Sequence, residues 1–365
     1  MSVQYVKLGD VCAKDSSNIA QKDLKDCFGK YPVYGAGGYI QNVDFYHQED
    51  EYIAIVKDGA GVGRAMILPA KSSVIGTMQY IIPDKNKVDM YYLYYAIINM
   101  ALGKYFSGAT IPHIYFKDYQ KEIFKLPDLE TQKKIADNLK NIDLIIAKKN
   151  KQIGLFNELV KSRFIEMFGD PLNNKNKFPM TTMGNEFKIS SGGTPSTEKE
   201  EYWNNGTIPW IGSNMCQDII LYNNDGKFIT EKGYKNSSAK LFFKGTVLVA
   251  LVGATVGKTA LLKFNTTTNQ NIAGIDVNGN NKFNSEYIFY HLQFQYSKFM
   301  EIGDKKFKMA NLKFIRELGL LAAPITLQNQ FADFVEQTDK SKLEIKKSLD
   351  KLEILKKSLM QQYFG

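Results

Sequence analysis

The chain has 365 residues, of which 44% are hydrophobic and 13% aromatic, and its formal net charge is +9. This composition excludes a mainly disordered chain, and the length predicts two domains. The longest uncharged apolar run, residues 245–257, is too short to span a bilayer, and Lys7 and Asp10 interrupt any secretory signal. We therefore expect a soluble protein without a membrane partner.

Cysteine usage and charge distribution narrow the class further. The 3 cysteines form no CxxC pair, which argues against a disulfide framework or a cysteine zinc site and indicates a cytoplasmic protein. Residues 1–128 hold 14 basic and 14 acidic groups, and no segment is a basic tail. This balance is compatible with a nucleic-acid partner.

The first part of the chain predicts a mixed α/β domain, residues 1–127. Tyr52–Val56 and Ala65–Leu68 have the composition of strands, and they flank a loop that contains Gly59, Gly61 and Gly63. Residues 90–102 predict a helix rich in aromatic side chains.

Residues 128–169 predict one long helix. No proline lies between Asp128 and Asp170, and apolar residues recur in alternating steps of three and four, which indicates a coiled-coil seam. A helix of about 39 residues is ~58 Å long, too long to bury its seam on one small domain. The predicted seam residues are Ile135, Leu139, Ile142, Ile146, Ile153, Phe156, Val160 and Met167.

A polar linker, residues 170–179, leads to a second mixed α/β domain, residues 180–324. Residues 246–252 predict a strand before a second glycine loop, and residues 285–300 predict a helix. Residues 325–365 predict a second long helix, and the simplest partner for each long seam is the other seam; an ordinary core helix is the alternative. The second seam comprises Phe331, Val335, Ile345, Leu349, Leu352, Leu359 and Tyr363.

The chain repeats itself once. Gln132 recurs as Gln328 and Gly169 as Gly365, 196 positions later in both cases, so the helical part keeps one length. The length of the part before the long helix differs between the copies: Gln132 follows Gly9 by 123 positions, whereas Gln328 follows Gly184 by 144. We predict an α+β fold in which two mixed α/β domains are separated by two long helices that form an antiparallel coiled coil with pseudo-twofold symmetry. The further matches are Gly59 with Gly253 and Arg64 with Lys258 at a shift of 194, Tyr91 with Tyr287 at 196, and Gly9 with Gly184 at 175.

Motifs for catalysis are weak. The run from Gly253 to Thr259 resembles a phosphate loop, but three residues separate its glycines where a Walker A loop needs four. The three histidines are isolated and fit no metal or nucleophile pattern. We therefore predict no catalytic, cofactor-binding or metal-binding residue in this chain.

Polar and aromatic loops carry the functional signal. The run from Gly192-Gly193-Thr194-Pro195 through Tyr202-Trp203 to Ile208-Pro209-Trp210 combines donors, acceptors and rings, as base-edge recognition requires. This run resembles the start of a target-recognition domain in the DNA-specificity (S) subunits of type I restriction-modification systems. So does the segment at residues 32–38, and the junctions that end in Gln132 and Gln328 are similar to that family's Pro-Leu-x-x-Gln junction. The resemblance covers essentially the whole chain.

The resemblance implies a function. Each domain would bind one half of a bipartite double-stranded DNA site, and the helix pair would set the gap and dock two methyltransferase (M) subunits. Those partners would bring S-adenosylmethionine for adenine N6 methylation, and motor-nuclease (R) subunits can join them with ATP and Mg. The chain itself would be a non-catalytic specificity subunit without a cofactor, and its unequal domains imply an asymmetric target.

Side-chain chemistry suggests which residues contact DNA, because cations beside glycine loops suit phosphates whereas amides, hydroxyls and arginine suit base edges. Since the first domain is formally neutral, we expect the isolated chain to bind DNA weakly. Two other functions stay open here: a coiled-coil scaffold whose modules bind protein or RNA, and an independent enzyme that uses the Gly253 loop. The candidate contacts are Tyr39, Gln41, Lys57, Arg64 and His113 in the first domain, and Thr194, Ser196, Ser213, Asn214, Lys258, Lys305, Lys306 and Lys308 in the second.

Overall fold

The computed structural model describes residues 4–108, 111–302 and 309–365. The chain divides into two compact units, Met1–Lys151 with Lys346–Gly365, and Gln152–Ile345. Each long helix therefore contributes one part to each unit. None of the helices in the described part of the chain is long and apolar enough to cross a membrane.

The first unit contains β1 (Gln4–Lys7), β2 (Cys12–Ser16), β3 (Tyr31–Gly35), β4 (Gly38–Val43), β5 (Tyr52–Val56), β6 (Ala65–Leu68), β7 (Ser73–Val74), β8 (Met78–Pro83), α1 (Met90–Met100), α2 (Phe116–Tyr119), β9 (Ile123–Leu126), the first part of α3 (Leu129–Phe168) and the last part of α9 (Ile325–Phe364). Its strands form a four-stranded sheet in the order β2-β8-β5-β6, a three-stranded sheet β4-β3-β7 and the pair β1-β9.

Burial explains the central strand of this unit. All five residues of β5 are buried, and Ile53 and Ile55 pack in one cluster with Tyr92 and Leu93 of α1. The helix α1 begins where the Asp89 carboxylate accepts the backbone N–H groups of its first turn.

The second unit has the same plan with additional strands. Its elements are the last part of α3, β10 (Met180–Thr182), α4 (Met183–Glu186), β11 (Lys188–Ser191), β12 (Ile208–Ile211), β13 (Ile219–Leu221), β14 (Phe228–Ile229), α5 (Glu231–Lys235), β15 (Leu241–Phe242), β16 (Val247–Ala250), β17 (Thr259–Leu262), β18 (Thr266–Thr268), β19 (Ile272–Asp276), α6 (Ser285–Gln293), α7 (Tyr296–Met300), α8 (Leu312–Glu317), β20 (Gly319–Leu321) and the first part of α9 (Ile325–Phe364). Its sheets have the strand orders β11-β19-β16-β17-β13, β14-β12-β18-β15 and β10-β20.

The predicted fold class is confirmed. The long helices α3 and α9 have 40 residues each, close to the predicted length. The helix expected at residues 285–300 is interrupted, because the buried Gln295 side chain donates a hydrogen bond to the Gly319 carbonyl and contacts His291, which holds a turn between α6 and α7.

The match of Tyr91 with Tyr287 is wrong by one residue. Asp89 caps α1 and Asn284 caps α6, so these helices correspond at a shift of 195. Tyr92, and not Tyr91, is the counterpart of Tyr287, since their hydroxyls donate to the carbonyls of Lys125 and Leu321, respectively.

The long helices run antiparallel within each unit. In the first unit, Nζ of Lys356 in α9 lies 2.5 Å from Oδ1 of Asp143 in α3. Phe364, the last residue of α9, packs its ring on Tyr92. In the second unit, the ring of Phe331 contacts Phe164 and Phe168. The ring contacts form near the helix ends, where each helix meets its domain.

The seam positions are covered to different degrees. The buried ones are Leu139, Ile142, Val160, Phe331, Val335 and Leu349, and the half-buried ones are Ile135, Ile146, Ile153, Phe156, Met167, Ile345, Leu352, Leu359 and Tyr363. Five further buried apolar residues of the long helices were not predicted, namely Ala136, Phe164, Phe168, Met360 and Phe364. All five pack in a domain core, which a heptad pattern alone does not reveal.

Candidate nucleic-acid interface

Strand register collects several loops of the first unit at one end of its sheets. Ser16 pairs with Gln79 and Val56 pairs with Met78, so β2 and β5 end where β8 begins. The Gly76 backbone N–H donates to the Ile19 carbonyl at 2.7 Å, which joins the neighbouring sheet to the same end. We call this set, residues 17–19, 36–39, 57–64, 75–77 and 112–113, the first loop cluster.

The first loop cluster contains four of the five candidates from this domain. Tyr39 is 60% exposed and Arg64 is exposed on the turn between β5 and β6. The Lys57 backbone carbonyl accepts the Ile114 N–H at 2.9 Å, and His113 contacts the Asp58 carboxylate through Nδ1. These contacts bring His113 beside Lys57 although 55 residues separate His113 from Asp58.

Gln41 lies elsewhere. Its Nε2 donates to the carbonyls of Leu24 and Cys27, at 2.5 and 2.9 Å. Both donors of the amide are therefore used inside the domain, where Gln41 stabilises the segment before β3, and its contact with DNA stays a prediction.

Lys14, Lys57 and His113 lie close enough at the first loop cluster for their charges to interact. Burial, followed by the charge of Lys14, lowers the pKa of Lys57. Burial, followed by the charge of Lys57, lowers the pKa of His113. The side chain of Lys14, which sequence analysis missed, therefore lies close enough to contribute to one cationic region.

The second unit collects loops in the same way. Ser191 pairs with Ala273 and Ala250 pairs with Ile272, so β11 and β16 both end where β19 begins. The Asn269 backbone N–H donates to the Ile211 carbonyl at 3.1 Å, which adds the segment after β12. We call residues 192–196, 212–218, 251–258 and 269–271 the second loop cluster.

Most candidates from the second domain lie in this cluster. The Thr194 hydroxyl donates to the Gln270 side-chain oxygen at 2.6 Å. Ser196 and Asn214 are exposed and Ser213 is half-buried. Lys258 is engaged with Asp218 at 2.7 Å. Lys305, Lys306 and Lys308 lie outside the described residues.

The two tryptophans of the second domain hold the backbone of this cluster through hydrogen bonds. Trp203 Nε1 donates to the Ser196 carbonyl at 3.0 Å, and Trp210 Nε1 donates to the Gly193 carbonyl at 3.3 Å. A Cβ on Gly192 would lie 2.1 Å from Oγ1 of Thr268, so only glycine fits there. The motif therefore builds a rigid turn that presents Thr194 and Ser196, and its rings are structural.

Sequence analysis missed three amides in the second loop cluster. Asn269, Gln270 and Asn271 form the turn between β18 and β19. The available signal is a run of three amides between the threonines of β18 and the apolar start of β19, but only the register shows that this run meets Thr194. Amide side chains suit the donor and acceptor pattern of adenine in the major groove.

The Gly253 loop is a hairpin turn. It connects β16 to the antiparallel strand β17, and the Gly257 backbone N–H donates back to the Ala250 carbonyl at 2.9 Å. A phosphate loop instead connects a strand to a helix whose first turn binds the phosphates. Within the described ranges, no group of three His, Cys, Asp or Glu side chains could hold a metal ion.

Comparison with known proteins agrees with this architecture. The family described as "Type I restriction modification DNA specificity domain" matches residues 2–155 and 174–355. The EcoR124I/EcoR124II specificity subunit of Escherichia coli is 23% identical over 299 residues, which cover 75% of this chain and 71% of that protein. The putative MjaX specificity subunit of Methanocaldococcus jannaschii is 25% identical over 304 residues, 76% of this chain and 68% of that protein.

Solved structures share the fold. The S subunit of a type I restriction-modification system from M. genitalium has a TM-score of 0.65 at 17% identity, over 100% of this chain and 96% of that one. Because the family matches both halves of the repeat, with their loop clusters and long helices, the chain belongs to the DNA specificity subunits of type I restriction-modification systems.

Proposed function

We propose that the chain acts in the cytoplasm as the non-catalytic subunit that recognises an asymmetric, bipartite double-stranded DNA sequence. Residues 1–127 and 180–324 are the two recognition domains, and each contacts one half of the site through its loop cluster. The partners are two methyltransferase subunits, which supply S-adenosylmethionine chemistry, and motor-nuclease subunits, which use ATP and Mg.

One observation carries this proposal: equivalent ends of equivalent sheets present different chemistry. The first loop cluster offers a phenol and cations, Tyr39, Lys57 and Arg64, whereas the second offers hydroxyls and amides around Thr194 and Gln270. Cations favour phosphates and guanine, and amides favour adenine. Two unlike surfaces on one repeat fit two unlike half-sites.

The repeat also supports the pair of methyltransferase subunits. The first turn of each long helix contains a buried glutamine, Gln132 or Gln328, that makes the same three hydrogen bonds to its own domain. Two equivalent helix and domain junctions provide two equivalent surfaces for one type of partner.

Selection from random duplex DNA tests the proposal. The chain is co-expressed with a methyltransferase subunit, and the purified complex selects sequences from a randomised library. We expect enrichment of a motif with two fixed parts and an unspecified gap. A complex that enriches no two-part motif, or a chain that instead captures RNA, contradicts the proposal and favours the scaffold function.

A further inference from the structure

Arg64 and Lys258 occupy the same position in the repeat. The Gly63 N–H donates to the Val56 carbonyl at 2.8 Å, and the Gly257 N–H donates to the Ala250 carbonyl at 2.9 Å. The cation therefore follows the last glycine of the same hairpin turn in both domains. A backbone this similar would be expected to present both cations alike.

Lys258 is nevertheless held inside its own domain. Its ammonium lies 2.7 Å from Oδ2 of Asp218 and 4.7 Å from the ring centre of Tyr296. The other oxygen of Asp218 accepts the backbone N–H and the hydroxyl of Thr259, at 3.0 and 3.1 Å. Only 33% of the Lys258 side chain and 25% of the Asp218 side chain are exposed.

An additional strand causes this difference. In the second unit, β13 pairs in parallel with β17, and the Asp218 N–H just before β13 donates to the Thr259 carbonyl at 2.8 Å. In the first unit, β6 is the edge of its sheet in the order β2-β8-β5-β6. Among the described residues of the first domain, no strand therefore lies at the place from which Asp218 reaches Lys258.

Arg64 is consequently accessible. It is exposed, and within the described residues it forms no ion pair. A Cβ placed on Gly61 would lie 3.6 Å from Cζ of Arg64, so the guanidinium lies across the glycine turn. An arginine supported by a glycine turn and free of carboxylates is suited to bind a phosphate.

We infer that Arg64 binds a DNA phosphate, whereas Lys258 does not bind DNA and instead positions the second glycine turn through Asp218. This inference rests on the proposed function, because it assigns roles within the same DNA interface. It removes Lys258 from the contacts and makes Asp218 a positioning residue.

The salt dependence of DNA binding separates the two roles. The complex of the chain with its methyltransferase subunit is titrated, at several NaCl concentrations, with a duplex that carries the two-part motif enriched by selection from random DNA. We expect Arg64→Gln to reduce the slope of log Kd against log [NaCl] by about one, the contribution of one phosphate contact. Lys258→Gln should leave the slope unchanged, as should Lys121→Ala, which removes an exposed lysine outside both clusters.

Asp218→Asn provides the decisive variant. Asparagine retains a carbonyl oxygen for Thr259 and tolerates the positive φ of 57° at this position, but it removes the charge that holds Lys258. The freed lysine should increase the slope by about one. Thermal unfolding of each variant checks that the fold is retained.

The inference is overturned if Lys258→Gln reduces the slope as much as Arg64→Gln, if Arg64→Gln leaves it unchanged, or if Asp218→Asn does not increase it. Failure of the proposed function looks different: the wild-type complex would then bind the motif duplex no better than a scrambled duplex.

Discussion

Gln328 accepts the backbone N–H of Asn284 on its side-chain oxygen at 2.9 Å, which ties the start of α9 to the start of α6. Its Nε2 donates to the carbonyls of Lys282 and Ala323 at 3.0 and 2.7 Å. Gln132 makes the corresponding bonds to Asp89, Lys87 and Pro127. The glutamine of the junction motif is thus a buried clamp between a long helix and its domain.

Removing the clamp should destabilise the domain. Gln328→Ala leaves one buried N–H and two carbonyls without a partner, so we expect the free energy of unfolding to fall by about 2–4 kcal/mol. The side chain of the exposed neighbour Asn329 accepts a hydrogen bond from the Asn284 side chain, and Asn329→Ala should cost less than about 0.5 kcal/mol. Urea unfolding measures the stability of both variants. Equal losses would show that the hydrogen bonds of Gln328 do not stabilise the domain more than an exposed side chain does.

His291 should make the second unit sensitive to acid. Burial, followed by the charge of Lys298, lowers the pKa of His291 to about 3, and its Nε2 accepts the Leu321 N–H at 3.2 Å. Since the folded pKa lies below the unfolded value of about 6.5, the stability from neutral His291 is complete above pH 6.5 and is lost as pH falls towards 3.

The expected loss is about 1.4 kcal/mol per pH unit, or roughly 2 kcal/mol at pH 5. Ala96 occupies the matching position in the first unit, at the shift of 195. His291→Ala should lower stability at pH 7 through the cavity, but it should flatten the pH dependence between 6.5 and 4. Unfolding curves at several pH values decide: an unchanged pH dependence would assign the acid sensitivity to other groups.

Two glycines of the first turn should respond differently to alanine. Both have positive φ, 81° at Gly59 and 83° at Gly63, but a Cβ on Gly63 would lie 2.3 Å from the backbone nitrogen of Gly103 whereas nothing lies near Gly59. We expect Gly59→Ala to cost about 1 kcal/mol and Gly63→Ala at least about 3 kcal/mol, because steric overlap adds to strain. Similar costs in thermal unfolding would refute the close approach.

Phe164 should anchor α3 to the second domain. Its fully buried ring stacks on Tyr287 and Phe294 and meets Phe331 edge-on. Phe164→Ala should lower the free energy of unfolding by about 3–5 kcal/mol. The adjacent Ile165 is 39% exposed, so Ile165→Ala should lower it by less than about 1 kcal/mol. Hydrogen exchange should show the loss in α6 and α9; an unaffected α6 would contradict the anchoring role.

Local patterns predicted much of this fold. The shift of 194 at the glycine turns agrees with the paired hydrogen bonds of Gly63 and Gly257, because turn geometry is dictated by nearby residues. The shift at α1 was wrong because capping by Asp89 and Asn284, and not the run of tyrosines, sets where these helices begin.

Long-range pairing limited the prediction of the site. Strand β13 brings the Asp218 carboxylate to Lys258 across 40 positions, and the sequence pattern does not reveal this partner. In the same way, the Gln41 amide is occupied by carbonyls 14 and 17 residues away. Side-chain chemistry identified the loops that meet at each sheet end, but the partners that occupy a side chain depend on strand order.

Methylome sequencing of the host with and without this gene tests the central claim most directly. We predict that deletion abolishes N6-methyladenine at one asymmetric motif with two fixed parts, and that replacing residues 180–324 with the domain of a relative changes one part only. An unchanged methylation pattern after deletion, or a replacement that alters both parts, would contradict the account.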